Sequence, residues 1–409
     1  MKKFLVTLLM IPLLLGIIVA PAHAAPLIDA SAAVMVDAST GQVIYEQNAQ
    51  QKLPIASISK LLTAIVIEDE VHSNQITGNT KVKIDSGTAA ISNDPNYSAI
   101  GLQEGQSYTV RELLNATLVK SADGATMALS AAAGDSMDEF NMKLQQKAQD
   151  IGLKNYTIVN PVGLNNGDLK SLASKQYSAK AENAMTATDV AIMTRYLVDH
   201  YPQLLQVTAQ KQATFFIAKG KAKTEKNLNE MLPGGKYTVP GVTIDGLKTG
   251  TSDTAGACFV STGNYQGHRI ITVVLHANGK NKDNRFVQTQ RLYQMLKQNY
   301  HLQTITLPKN IREQPLDNGQ SRQVTLSPRQ ITVWSAGNDV HKYTMAVKLN
   351  KCYLNKKGQL QAPISRNRTV GELDLSGNQL KTLDGRPLTY RLFSTANVPQ
   401  GNFWQRLWH

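Results

Sequence analysis

The sequence predicts an α+β fold followed by a smaller all-β module, and three observations carry that prediction. Apolar strand-like runs lie at both ends of the stretch from residue 25 to 300, with a series of helical patterns between them. After Tyr300 the pattern turns to period-two alternation. The chain of 409 residues, 42% hydrophobic and 18% charged, has material for two or three ordinary cores. This composition excludes disordered, collagenous and low-complexity classes, and no fixed-period repeat is visible.

Taken in order, Lys2 and Lys3 precede an apolar stretch from Phe4 to Ala20, followed by Pro21 and Ala22-His23-Ala24. That is the charged, apolar and small-x-small series of a signal peptide, cleaved before Ala25. A retained membrane anchor is the alternative, but 17 residues fall short of the roughly 20 needed to span a bilayer. We therefore expect residues 1–24 to be removed and the protein to work outside the cytoplasm, at the cell envelope. No GxGxxG or GxxxxGK[ST] loop argues for nucleotide chemistry. Cys258 and Cys352 are too few for a disulfide framework and are expected to be isolated packing residues, with a bridge as the alternative.

Within 25–300, Val34 to Val36 and Val43 to Tyr45 flank Ser39-Thr40-Gly41 as a hairpin. Helical stretches follow. Strands return at Val242 to Thr249, Cys258 to Ser261 and Arg269 to Leu275, and a helix around Phe286 to Leu296 closes the unit near Tyr300. Thr186 to Asp189 before the run Val190 to Leu197 reads as a helix cap. In the all-β module, placed at 303–395, Tyr343, Met345, Val347 and Leu349 alternate, as do Leu373 and Leu375, and Asp384-Gly385 is a hairpin signal.

Charge is unevenly placed. From His301 to His409 there are 15 Lys plus Arg against six acids, whereas Ala25 to Tyr300 has 26 against 24. Outside the cytoplasm such a basic module faces an anionic membrane surface or wall polymers rather than nucleic acid, with a merely well-solvated surface as the alternative. The last segment, 396–409, ends Phe403-Trp404-Gln405-Arg406-Leu407-Trp408-His409, with aromatic residues at helical spacing. It reads as a short amphipathic, membrane-associating tail.

The chemistry-bearing pattern begins at Ser57-Ile58-Ser59-Lys60, running into the almost wholly apolar Leu61 to Ile67, a buried helix. A spacing of three stacks Ser57 and Lys60 on one face, so the amine reaches the hydroxyl. Burial disfavours the charged amine, and a neutral lysine can take the proton of a serine attacking a carbonyl. Two further elements follow: Ser121-Ala122-Asp123 and Lys248-Thr249-Gly250-Thr251.

Together these resemble SxxK, SxN and KTG, in that order: the marks of the penicillin-recognising serine enzymes, and most closely the low-molecular-mass penicillin-binding proteins that act as serine-type D-alanyl-D-alanine carboxypeptidases. The resemblance spans nearly the whole chain. It implies a β-lactamase/penicillin-binding-protein-like catalytic domain, peptidoglycan stem peptides as substrates, β-lactam antibiotics as ligands, and neither cofactor nor metal. Carried over, Ser57 is the nucleophile, Lys60 its base and Ser121 a proton relay. Lys248 holds the substrate carboxylate, Thr249 donates to it, Gly250 permits close approach, Thr251 N–H completes the oxyanion hole with Ser57 N–H, and Arg285 assists with the carboxylate.

Asp123 departs from the family's Asn. An ionised carboxylate only accepts hydrogen bonds, so it pairs with Lys60 or Lys248 and raises its pKa, or sits protonated. A catalytically weak wall-binding protein with a degenerate site is therefore one alternative. A β-lactamase of the same fold is another, but its E-x-x-L-N stretch is matched here only by Glu225 to Asn229, too late in the chain. No GxSxG or HExxH motif is present.

Overall fold

The computed structural model describes residues 27–337, 343–377 and 380–404. The expected signal peptide lies outside them. Among the described residues no helix is long and apolar enough to cross a membrane.

A central antiparallel sheet carries the first unit. Strand Ala30–Asp37 pairs with Gln42–Gln47 on one side and with His268–Ala277 on the other, and Gly256–Tyr265 and Thr243–Ser252 complete that side. Thr243–Ser252 is therefore the edge strand. Both faces of the sheet are covered, which is why its strands read as continuous apolar runs. Alternation divides them: Ala32, Val34 and Val36 join a core with Ile58, Leu61 and Ile65 of the helical region, while Ala33 and Met35 join a second core with Phe286, Leu292 and Tyr293 of helix Asn284–Asn299. The fold is α+β, as the pattern of runs predicts.

Beyond Tyr300 the chain builds a six-stranded sheet around Leu316, Val324, Leu373, Leu375 and Leu392. Strands Thr369–Ser376 and Leu388–Ser394 pair around the Asp384-Gly385 signal, with Leu375 opposite Leu388. Their connection is not a tight turn. It makes an excursion in which Lys381–Thr382 pairs with Gln42 and Val43, adding a sixth strand to the catalytic sheet.

A second joint lies at Trp334. Its indole N–H donates to Asp37 Oδ2 at 2.9 Å, and its backbone exchanges two hydrogen bonds with the Gln42 amide at 2.7 and 2.9 Å. Trp334 packs in the catalytic unit's second core, stacked on Tyr265.

The two cysteines are free. Cys258 is buried, as expected of a packing residue; Cys352 is exposed, because it sits in a short helical turn with no buried residue, and the packing expectation fails for it. Val398 belongs to the β module's core and Gly401 N–H donates to Asn318 O at 2.8 Å, so the chain is held to the module as far as Gly401. Phe403 and Trp404 are 61% and 68% exposed; Arg406, Leu407 and Trp408 of the expected tail lie outside the described residues.

Candidate active site

The SxxK segment does not begin as α-helix. Ala56–Ser59 is a 3₁₀ turn and the α-helix runs Lys60–His72. Three residues per turn eclipse i and i+3, which sets Lys60 directly over Ser57, and Lys60 Nζ donates to Ser57 Oγ at 2.6 Å. The turn is held from outside. Ile55 N–H donates to Asn183 O at 3.1 Å, Ala56 takes a left-handed φ of 45°, and Thr63 Oγ1 donates to Pro161 O at 2.7 Å. Asn183 and Asn160, both buried, organise the loop beneath it: Asn183 Oδ1 accepts from Val159 N–H at 2.6 Å, and Asn160 Oδ1 from Gly163 N–H at 2.7 Å. A Cβ at Gly163, itself at φ +85°, would lie inside 3.0 Å of the Ala56 carbonyl.

The second motif follows a π-helical turn, Ala116–Lys120, after which Ser121 adopts a left-handed φ of 62°. Such turns and such backbone are found preferentially where a side chain must be aimed. Here they bring Ser121 Oγ to 3.3 Å from Lys60 Nζ and 2.8 Å from Lys248 Nζ. Asp123 starts the next helix, Asp123–Ser130. Its Oδ1 accepts from Lys60 Nζ at 2.6 Å and its Oδ2 from Ser98 N–H at 2.8 Å. Of the two partners open to Asp123 in the sequence, the structure pairs it with Lys60.

Lys248 and Gly250 lie on the side of the edge strand that meets the Ser57 turn: a Cβ at Gly250 would lie inside 3.0 Å of Ile55 O. The bare glycine thus serves the packing of strand against turn. Arg285, near the start of helix Asn284–Asn299 and 4% exposed, reaches across: Nη2 donates to Thr251 Oγ1 at 2.6 Å and Nη1 to Gly250 O at 2.8 Å. Thr249 is buried beside them, and its carbonyl accepts from Lys248 Nζ at 3.1 Å.

Lys60, Ser121, Asp123 and Lys248 are all buried, whereas Ser57 is half-buried at the opening. Burial pushes the Lys60 amine below its ordinary value, against the Asp123 carboxylate, which favours the charged form. Burial prevails, so pairing with Asp123 does not raise the Lys60 pKa above normal. Lys248 lies well below its ordinary value, first through burial and then through repulsion from Lys60 and Arg285, with Asp123 opposing. A buried amine with a lowered pKa in contact with a serine hydroxyl is the arrangement that activates a nucleophile.

Ser98, Asn160, Gly163 and Asn183 escaped the sequence reading. Asn160-Pro161-Val162-Gly163 carries a turn signature, but only the fold shows that the turn it makes supports Ser57. Glu225, the residue of the late E-x-x-L-N match, is held by Lys120 at 2.8 Å and Lys223 at 2.6 Å.

Comparison with known proteins finds relatives over most of the chain. A family model described as D-alanyl-D-alanine carboxypeptidase matches residues 19–279. The D-alanyl-D-alanine carboxypeptidase DacC of Escherichia coli is 27% identical over 387 residues, covering 94% of this chain and 88% of the relative. Among solved structures, a peptidoglycan synthesis regulatory factor (PBP3) of Streptococcus pneumoniae superimposes with a TM-score of 0.81 at 30% identity, over 91% of this chain and 100% of that one. Penicillin-binding protein D2 of Listeria monocytogenes, solved in an ampicillin-bound form, superimposes with a TM-score of 0.53 at 26% identity, over 66% of this chain and 98% of its own. With the family model matching well over half its length, the chain belongs to the D-alanyl-D-alanine carboxypeptidase family.

Proposed function

We propose that this protein is an exported serine D-alanyl-D-alanine carboxypeptidase that removes the terminal D-Ala of peptidoglycan stem peptides through an acyl-enzyme on Ser57. The observation that carries the reading is the single amine of Lys60, buried and depressed in pKa, in contact with Ser57, Ser121 and Asp123 at once.

Neutral Lys60 takes the Ser57 proton as Oγ bonds to the carbonyl carbon of the penultimate D-Ala. The oxyanion is received by the N–H groups of Ser57 and Thr251. When the C–N bond breaks, the proton passes from Lys60 through Ser121 to the departing nitrogen. Water then adds to the ester, giving one proton to Lys60; the C–Oγ bond breaks and Ser57 is reprotonated. Lys248, Thr249, Thr251 and Arg285 hold the terminal carboxylate.

Penicillin acylates Ser57 by the same first step, but its leaving nitrogen stays tethered. Asp123 does not make the site degenerate. Its two oxygens face two donors, Lys60 Nζ and Ser98 N–H, which is the environment an acceptor-only group fits.

The protein acts on the outer face of the cytoplasmic membrane, where its basic β module and the exposed Phe403 and Trp404 favour reversible contact with an anionic lipid or wall-polymer surface. Intact-mass measurement after penicillin treatment tests the catalytic reading. One adduct mapping to the Ser57 peptide is expected, and an adduct that persists in Ser57→Ala would remove it.

A further inference from the structure

A chain of hydrogen bonds leads out of the site. Arg285 meets Thr251 at one end, Lys248 meets Ser121, and Lys60 links Ser121 to Asp123, whose second oxygen accepts from Ser98 N–H. Beyond Ser98 lies a cavity of about 650 Å³, between the Ser92 to Gly101 segment and the hairpin of Gln212–Ala218 and Lys221–Lys226. Its wall includes Lys120, Lys221 and Lys223, and no Asp or Glu.

The unit that holds it is nearly neutral, with 26 basic and 24 acidic residues from Ala25 to Tyr300, so an acid-free wall with three lysines is a local feature. Lys120 and Lys223 share Glu225, and that pairing by itself would only fasten the hairpin to the catalytic loop. It leaves Lys221, which makes no ion pair among the described residues and follows Lys223's side of the strand.

The direction of the substrate gives this cavity a role. The Lys248, Thr251 and Arg285 end takes the terminal carboxylate, which belongs to the leaving D-Ala, and Ser57 marks the scissile carbonyl. The acyl portion therefore extends the other way, past Ser121 and Asp123 towards Ser98. We propose that the cavity is a subsite for a carboxylate carried on the acyl portion of the substrate, with Lys221 and Lys223 as specificity-determining residues. This rests on the carboxypeptidase reading and adds to it a charge preference.

The test uses the mature protein and two N-acyl-D-Ala-D-Ala substrates whose acyl chains end in a free carboxylate or in the corresponding primary amide. The wild type should show the lower KM for the carboxylate. Two partly exposed lysines at roughly 0.7 kcal/mol each imply that the double variant Lys221→Gln, Lys223→Gln raises that KM about tenfold. Its kcat, its KM for the amide and its stoichiometry of penicillin labelling should not change, the last showing that it is folded. High salt should shrink the difference between substrates. Lys219→Gln, at the hairpin tip and outside the cavity wall, should leave both substrates unaffected.

Equal KM for the two substrates in the wild type would overturn the subsite. So would a loss in the double variant that is the same for both, or a loss in Lys219→Gln as large as in the double variant, which would indicate the hairpin's general field. A wild type that neither cleaves the substrates nor takes up penicillin would overturn the carboxypeptidase reading and the subsite with it, a pattern distinct from the others.

Discussion

Lys60 Nζ stands 2.6 Å from Asp123 Oδ1 with both side chains buried, yet burial still holds the amine below its ordinary pKa. The carboxylate and the low-dielectric surroundings act in opposite directions on one proton. Their balance sets the pH at which Lys60 loses its proton, and Lys248, whose charged form Lys60 disfavours and Asp123 favours, responds to the same two charges.

Asp123→Asn removes the only one of the named influences on Lys60 that favours its charged form. The Lys60 pKa should fall further, so more of the amine is neutral at a given pH. The rising limb of the acylation rate against pH should move to lower pH, and acylation near neutrality should increase. Stopped-flow acylation by penicillin across pH checks this; a large loss of rate with the limb unmoved would mean that the site needs the carboxylate itself.

Lys248→Ala should cost activity on a free-carboxylate D-Ala-D-Ala peptide roughly 10- to 100-fold, the scale of a charge-assisted hydrogen bond of about 1.5–3 kcal/mol, and far less on the corresponding amide. A bound carboxylate favours the charged form of an amine that is depressed in the free enzyme. Binding should therefore weaken as pH rises through the Lys248 pKa. Comparison of kcat/KM for the two substrates decides whether Lys248 is a carboxylate clamp.

Gly250→Ala should slow acylation without touching a catalytic side chain. Its Cβ would collide with the Ile55 carbonyl, which is backbone and cannot swing aside, so the edge strand and the Ser57 turn must separate. We expect at least a tenfold loss of penicillin acylation and about 1–3 kcal/mol of stability, read by denaturant unfolding.

Trp334→Ala should destabilise the protein by about 3–5 kcal/mol, since it empties a nearly enclosed site between the two units. Trp334→Phe keeps most of the ring volume and removes the indole donor to Asp37 Oδ2, which still faces His268 Nδ1 at 2.7 Å, at about 0.5–1.5 kcal/mol. Urea denaturation of the two variants separates packing from hydrogen bonding at this joint.

Deletion of residues 401 to 409 should abolish low-salt co-sedimentation with anionic vesicles. Phe403 and Trp404 stand exposed just past the Gly401 hydrogen bond to the β module, and the aromatic tip supplies what basic charge alone lacks. Binding unchanged by the deletion would assign membrane contact to the module surface.

Much of this protein follows from local patterns. Continuous apolar runs mark the strands of the central sheet and period-two runs those of the β module, the apolar run after Lys60 marks the buried helix, and the SxxK, SAD and KTG segments name the chemical groups. These are legible because strand alternation, helical stacking and the reactivity of a serine beside a lysine are properties of neighbouring residues. The tertiary structure decided what depends on distant ones. Asp123 could pair with Lys60 or Lys248 in the sequence; only the left-handed backbone at Ser121 and the Ser98 N–H, 25 residues away, settle it on Lys60. The bare Gly250 meets Ile55 across the cleft. The stretch Lys381–Thr382, which looks like part of the β module, extends the catalytic sheet, because an edge strand offers its hydrogen bonds to whatever segment the fold brings alongside. The pKa of Lys60 belongs to this second class too: its direction depends on how much water the whole fold removes from around the amine, set against one carboxylate that the fold places 2.6 Å away.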